Sequence, residues 1–329
     1  MGISKMWRTK EKNLNHFDAE PAYGWQTWEY LPAVGRLNPL TGMIFTTQNF
    51  KNMKTRRDFL VQSGAIAVGA ILLPSFTLPF GNKQKFGVQL YSFRNEMDAD
   101  PIGTLKQIAA IGIKEIESAR SNKGHYYGLS PKEMKDACND LGMTLISGHV
   151  ALDANFEKTM EEAVESGQEY LICSSMPSKG QTVDNYKGVA EAFNKAGEDC
   201  KKIGLKFGYH NHGYEFESEN GEVLYDVLMN NTEADLVYME LDLGWVVMAE
   251  KDPLDYFKKY PGRFPLWHLK DMDMTKKEST EFGKGGLDIP KMMKNQAASG
   301  VKHIFIEQEE YASTPLESMK HNMNFLNTL

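Results

Sequence analysis

Cysteine is scarce in this sequence, and what there is does not pair. Cys138, Cys173 and Cys200 are three in 329 residues, an odd number with no C-x-x-C spacing. That argues against a disulfide framework and against a cysteine-built zinc site, and leaves buried free thiols as the expectation. Basic charge is also in short supply: 37 Lys and Arg stand against 44 Asp and Glu, a net charge of −7. An acidic chain of this kind lacks the clustered cations that sequence-independent binding to phosphate backbones requires, so nucleic acid is not an expected partner. No glycine-rich turn opens a helix after the first strand-like run, which places an open doubly wound sheet second among the candidate folds. The uncharged run from Val61 to Phe80 is interrupted by Gly64, Gly69, Pro74 and Pro79. It is a poor membrane-spanning helix, so stable insertion is not expected.

The N-terminal quarter reads differently from the rest. Residues 1–52 scatter Trp7, Trp25, Trp28, Pro21, Pro32 and Pro39 without helical or strand periodicity. They read as an unstructured upstream extension, with Met53 as a second candidate start. Residues 53–84 begin Met-Lys-Thr-Arg-Arg-Asp-Phe-Leu before the uncharged run. Paired arginines ahead of a moderately apolar segment resemble a twin-arginine export signal, which implies export; without it the expectation is a cytoplasmic protein. An amphipathic or buried helix is the other reading of this stretch.

From Lys85 to the C-terminus the chain alternates strand-like and helix-like segments. The expected strands are Phe86–Phe93, Ile113–Ser118, Thr144–Val150, Tyr170–Ser174, Lys206–Phe216, Leu236–Leu243, Pro265–Lys270 and His303–Glu307. Helices are expected between them, and Ser130-Pro131-Lys132-Glu133 supplies an N-cap, a first-turn proline and an acidic start. Eight such units with no sign of a second domain point to an α/β protein, a single-domain (β/α)8 TIM barrel over residues 85–329.

Barrel enzymes carry their chemistry at the C-terminal ends of strands. In this chain those ends are polar where apolar residues would be expected. Lys206–Phe216 reads KFGYHNHGYEF, and on a strand His210 and His212 would share a face. Glu240 pairs with Asp242, His268 with Lys270, and Glu307 with Glu309 by the same alternation. Each residue alone has an ordinary reading: a hydrogen-bonded core histidine, a helix-capping Asp242, a Glu307–Lys270 ion pair. Burying so many polar groups costs several kcal/mol each unless something compensates. One divalent cation held by two imidazoles and two carboxylates, His210, Asp242, His268 and Glu307, accounts for them together. Such a mixed nitrogen and oxygen set suits manganese, zinc, cobalt or iron better than calcium.

The YHNHGYEF, ELDLGW, HLKD and IEQEE stretches resemble the xylose-isomerase-like barrel superfamily, the sugar phosphate isomerases and epimerases, over roughly Lys85 to the C-terminus. The resemblance implies a metal held by Asp242, His268 and Glu307 and by a strand-five residue. That fourth position falls on His210, where sugar epimerases of the group usually carry Glu. It further implies proton abstraction next to a carbonyl, through an enediolate, with Glu307 as combined ligand and base and His210 as ligand or base. Lys270 would stabilise developing negative charge, or else be a salt-bridge partner of Asp271 or Glu240. Glu117 and His149 lie where members hold sugar hydroxyls or place a second acid/base group. His212 and Glu215 are expected to orient substrate, and Tyr91 and Trp245 to stack on a sugar ring.

The function expected on this basis is metal-dependent isomerisation or epimerisation of a sugar or keto-sugar, in a protein free to form a homo-oligomer. The rival is β-elimination from the same enolate, a lyase or dehydratase acting on keto-sugars, 3-keto-glycosides or inosose. The imidazole at position 210 favours the rival. More remote are a non-catalytic sugar-binding barrel and an abasic-site endonuclease. Trp245 stands where that nuclease group has a histidine. The glycine-rich loop Phe282–Asp288 is read either as a phosphate contact through Lys284 and backbone amides or as a plain turn.

Overall fold

The computed structural model describes residues 84–329. The upstream extension and the export-signal-like segment therefore lie outside the described residues. Eight strands close into a barrel: β1 (Gly87–Gln89), β2 (Glu115–Ser118), β3 (Thr144–Val150), β4 (Tyr170–Cys173), β5 (Lys206–His210), β6 (Val237–Asp242), β7 (Leu266–Leu269) and β8 (His303–Ile306). Every strand pairs in parallel with its sequence neighbours, and β8 closes on β1. The expected (β/α)8 barrel is what forms. All three cysteines are buried free thiols. Among the described residues no helix is long and apolar enough to cross a membrane.

Alternation sorts side chains between two cores. On β4, Leu171 and Cys173 join the large core, while Tyr170 and Ile172 join a separate cluster with Ile146, Leu266 and Phe305. The second set, on the opposite strand face, fills the barrel interior beneath the strand ends. Gly208 is small for a reason in this layer. A Cβ there would come within 2.6 Å of Ile172 Cδ1 and 2.8 Å of the Tyr238 carbonyl oxygen.

Local signals placed most helices well. Ser130 accepts from the Glu133 N–H at 3.2 Å while the Glu133 carboxylate accepts from the Ser130 N–H at 2.8 Å, so a capping box opens the helix Pro131–Asp140. Two expected strands are shorter than their apolar runs, and in both cases a side chain turns the backbone. The first strand stops at Gln89, whose side-chain oxygen accepts the Tyr91 N–H at 3.0 Å and winds Leu90–Phe93 into a 3-10 turn. The fifth stops at His210. There the Glu215 carboxylate accepts the His212 N–H at 2.9 Å and the Tyr209 hydroxyl at 2.6 Å, folding Tyr214–Phe216 into another 3-10 turn. His210 and His212 therefore do not share a strand face.

Candidate metal and active site

The four residues singled out as ligands meet. Donor atoms of His210, Asp242, His268 and Glu307 all lie within 4.8 Å of one another, and all four side chains are buried. Register explains the meeting: His210 is level with Glu240 across β5 and β6, and Asp242 is level with His268 across β6 and β7. Glu307 follows directly on β8, its N–H bonded to the Leu269 carbonyl at 3.2 Å.

The geometry has two levels, one on each side of the two shared imidazoles. On the outer side, Asp242 Oδ2 is buried without a hydrogen bond. It stands 3.8 Å from His210 Nε2, 4.0 Å from His268 Nδ1 and 3.8 Å from Lys270 Nζ. These separations are too long for hydrogen bonds. The two separations to imidazole nitrogens match ligand atoms set around a cation with bonds of about 2.1 Å, while Lys270 is a charged neighbour and not a ligand. On the inner side, Glu117 satisfies the other nitrogen of His268 and Glu240 bonds His149, while His210 Nδ1 is buried without a hydrogen bond. His149 Nε2 is 2.8 Å from Glu240 Oε2, and His268 Nε2 is 2.6 Å from Glu117 Oε2. Gln89 Nε2 and Ser147 Oγ donate to Glu117 as well, at 2.9 and 2.7 Å. A second group of potential ligands, His149, His210, Glu240 and His268, also lies within 4.8 Å. Its Glu240 Oε2 already takes a hydrogen bond from His149, although Glu240 Oε1 takes none, whereas Asp242 Oδ2 faces two ring nitrogens and takes none. The outer group is thus the better seat for a divalent ion, and its two imidazoles and two carboxylates fit one.

Without a metal, the electrostatics show the same imbalance. Burial pushes the Asp242 carboxyl up to about 6, against partial opposition from Lys270 and His268. Burial also acts to raise Glu307, but Lys270 and His268 outweigh it and hold that carboxyl well below its ordinary value. Glu240 likewise overcomes burial through His268, His149 and His210. Burial, followed by the charge of His268, drives His210 well below the ordinary imidazole value. His149 and His268 instead rise despite burial, through Glu117 and Glu240 for the first and through Glu240 and Glu307 for the second. Lys270, 1% exposed, is held charged above its usual range. It donates to Glu307 at 3.1 Å and to Glu309. Its partners are thus Glu307, Glu309 and Asp242, not the expected Asp271 or Glu240.

A cavity of about 600 Å³ opens above this centre. Tyr91, His149, His210, His212, Trp245, Lys270 and Glu307 line it, as their strand-end positions suggested. Tyr91 and Trp245 face it as expected of stacking residues, and Trp245 also lies under Lys270 Nζ at 5.1 Å. Two expectations change. Glu117 is fully buried and contacts His268 in place of a substrate, and Glu215 is fully buried and ties down the strand-five loop. The phosphate reading of Phe282–Asp288 also fails. Asp271 accepts the N–H groups of Gly283, Gly285 and Leu287 at 2.9–3.0 Å, and those of Lys284 and Gly286 go to the carbonyls of Glu281 and Met272. Glu240 was visible only as a strand-face neighbour of Asp242, and Gln89, Ser147 and Arg94, the last of which lines the cavity, left no signal. The capping and ion-pair readings proved compatible with a site: Asp242 Oδ1 accepts the Trp245 N–H at 2.9 Å, leaving Oδ2 free.

The family model described as "Xylose isomerase-like TIM barrel" matches residues 105–329. The chain belongs to this family. An inosose dehydratase of Clostridium perfringens is 29% identical over 154 residues, covering 41% of this chain and 51% of that protein. The chain thus spans about half the length of this curated relative. A crystal structure described as a sugar phosphate isomerase/epimerase from Parabacteroides distasonis superposes with a TM-score of 0.68 and 27% identity, covering 75% of this chain and 99% of that one. A 3-keto-D-glucoside 4-epimerase from E. coli, 14% identical with TM-score 0.58 over 75% of this chain and all of its own, shares the fold. A curated relative is thus named as a dehydratase, and a protein named as an epimerase shares the fold.

Proposed function

We propose that the protein is a divalent-metal-dependent carbon–oxygen lyase that acts on a keto-sugar or inosose-like ring by removing a proton next to the carbonyl. The observation that carries the reading is the buried, unbonded Asp242 Oδ2 facing His210, His268 and Glu307, of which His210 and Glu307 line a cavity of about 600 Å³. A divalent ion held by these four residues would supply Lewis-acid polarisation of the carbonyl and a neighbouring hydroxyl.

The chain's own groups supply the rest. Glu307 is ionised at neutral pH because Lys270 and His268 hold it so, and an ionised carboxylate is what takes the proton from carbon. Lys270 Nζ, 3.1 Å from that carboxylate, stabilises the negative charge that develops on the substrate oxygen. His149 faces the same cavity from β3, and despite burial Glu117 and Glu240 raise its proton affinity above that of an ordinary imidazole. It is the acid that protonates the departing β-oxygen, which leaves as water or an alcohol. The C–H electron pair becomes the new C–C double bond and the C–O pair leaves with the group. A carboxylate on one side and an imidazolium on the other are unlike groups, which suits a one-way elimination better than a reversible exchange of configuration. Trp245 and Tyr91 offer ring faces for an apolar sugar face.

Epimerisation is the second reading, supported by the structural neighbour described as an isomerase/epimerase. Incubation with Mn2+ and either an inosose or a 3-keto-glucoside in D2O separates the outcomes. Elimination gives an unsaturated ketone and released water or aglycone. Epimerisation gives a deuterated stereoisomer and no release. If neither product forms and no carbon-bound proton exchanges, enolisation is refuted.

A further inference from the structure

Three imidazoles converge on a single carboxylate oxygen. Glu240 Oε2 lies 2.8 Å from His149 Nε2, 3.2 Å from His268 Nε2 and 3.2 Å from His210 Nδ1. Glu240 is completely buried, and its strand-six position sets it level with His210 across the β5–β6 pairing. Its companions are the three rings and, through them, Glu117.

An ionised carboxylate only accepts hydrogen bonds, so a ring nitrogen drawn to it must carry the proton. An imidazole with one N–H so engaged presents its other nitrogen unprotonated, which is the form that binds a cation. From these contacts we infer that Glu240 is a positioning residue of the centre, its Oε2 fixing which nitrogen of His210 faces the outer ligand group. The nitrogen left facing outward is His210 Nε2, 3.8 Å from Asp242 Oδ2, whereas both nitrogens of His268 are hydrogen-bonded to carboxylates, Nε2 to Glu117 at 2.6 Å and Nδ1 to Glu307 at 3.0 Å.

The same oxygen orients His149, the proposed acid, so that its ring stacks on His268 with centroids 5.1 Å apart and planes at 10°. Glu117 backs up His268, but it reaches neither His210 nor any other residue of the outer group. Among the described residues, Glu240 is the carboxylate that touches all three rings. The His210 contact is close enough for a hydrogen bond but not aligned for one.

This inference rests on the metal reading above, and the test separates the two. Mn2+ binding is measured by calorimetry on wild type, E240Q and H149N, with thermal melts to confirm folding. The tautomer of His210 is read by nitrogen NMR on metal-free protein labelled with 15N-histidine. E240Q is expected to lose about 10- to 100-fold in Mn2+ affinity, the usual effect of removing a ligand's orienting partner. H149N removes one of the three rings on that oxygen and no ligand of the outer group, and should lose less Mn2+ affinity than E240Q. His210 should carry its proton on Nδ1 in wild type and lose that preference in E240Q. Equal Mn2+ affinity in E240Q and wild type, or an unchanged His210 tautomer, overturns the inference. So does an anomalous manganese peak seated on Glu240 and His149, which would make Glu240 a ligand. A wild type that binds no Mn2+ would sink the metal reading alone, and the NMR arm would still decide the role of Glu240.

Discussion

Replacing Asp242 by Asn should make the metal-free protein more stable while destroying its affinity for a divalent ion. Asp242 is fully buried, and one of its oxygens makes no hydrogen bond. Its carboxyl rises from 3.8 to about 6 in the fold, burial being the largest cause. A folded value above the unfolded one means that the folded state binds more protons in that window. Stability from this group is therefore highest below about pH 4 and falls as pH climbs through about 6. At roughly 1.4 kcal/mol per pKa unit, two units amount to about 3 kcal/mol of destabilisation at pH 8. Asn keeps the acceptor that caps the Trp245 N–H and removes only the charge. Lys270 retains Glu307 and Glu309 as partners. Urea denaturation of both proteins with chelator present, at pH 8, 6 and 4, gives the comparison. D242N should exceed wild type by up to about 3 kcal/mol at pH 8, with the gap closing near pH 4. Added Mn2+ should stabilise wild type only. A gap that is absent at pH 8, or that does not change with pH, refutes the view of Asp242 as a buried charge awaiting a cation.

Other outcomes follow from the same geometry. E307Q should lower kcat by about 10²- to 10⁴-fold on whichever keto-sugar proves to be the substrate, measured at saturating Mn2+ so that weaker metal binding does not masquerade as lost base. K270M removes the one cation shared by Glu307, Glu309 and Asp242, and should cost about 3–5 kcal/mol in chemical denaturation. A cost under about 1 kcal/mol would show that the lysine is not the keystone of that cluster. D271A deprives four backbone N–H groups of their acceptor. It should destabilise by at least about 3 kcal/mol and speed hydrogen exchange at Gly283, Gly285 and Leu287.

Much of the molecule is written in local pattern. Period-two and helical spacing placed the eight strands and most helices, because side-chain direction repeats within a few residues. The Ser130–Glu133 cap was readable because both partners lie one helical turn apart. Strand-end position likewise singled out His210, Asp242, His268 and Glu307, since a parallel barrel brings all its strand ends to one mouth. What local pattern misjudged is where side chains override it: Gln89 and Glu215 bend the backbone out of runs that looked like strand.

The inner level of the site was decided by tertiary structure alone. Glu117 meets His268 across 151 positions of sequence, and His149 meets Glu240 across 91. Alternation says only that a side chain points into the barrel; strand register and closure decide whom it meets there. Glu240 looked like a plain neighbour of Asp242 until β5 and β6 aligned it with His210. The charge a buried carboxylate carries, and so what it can do, depends on those partners and on the water excluded around them.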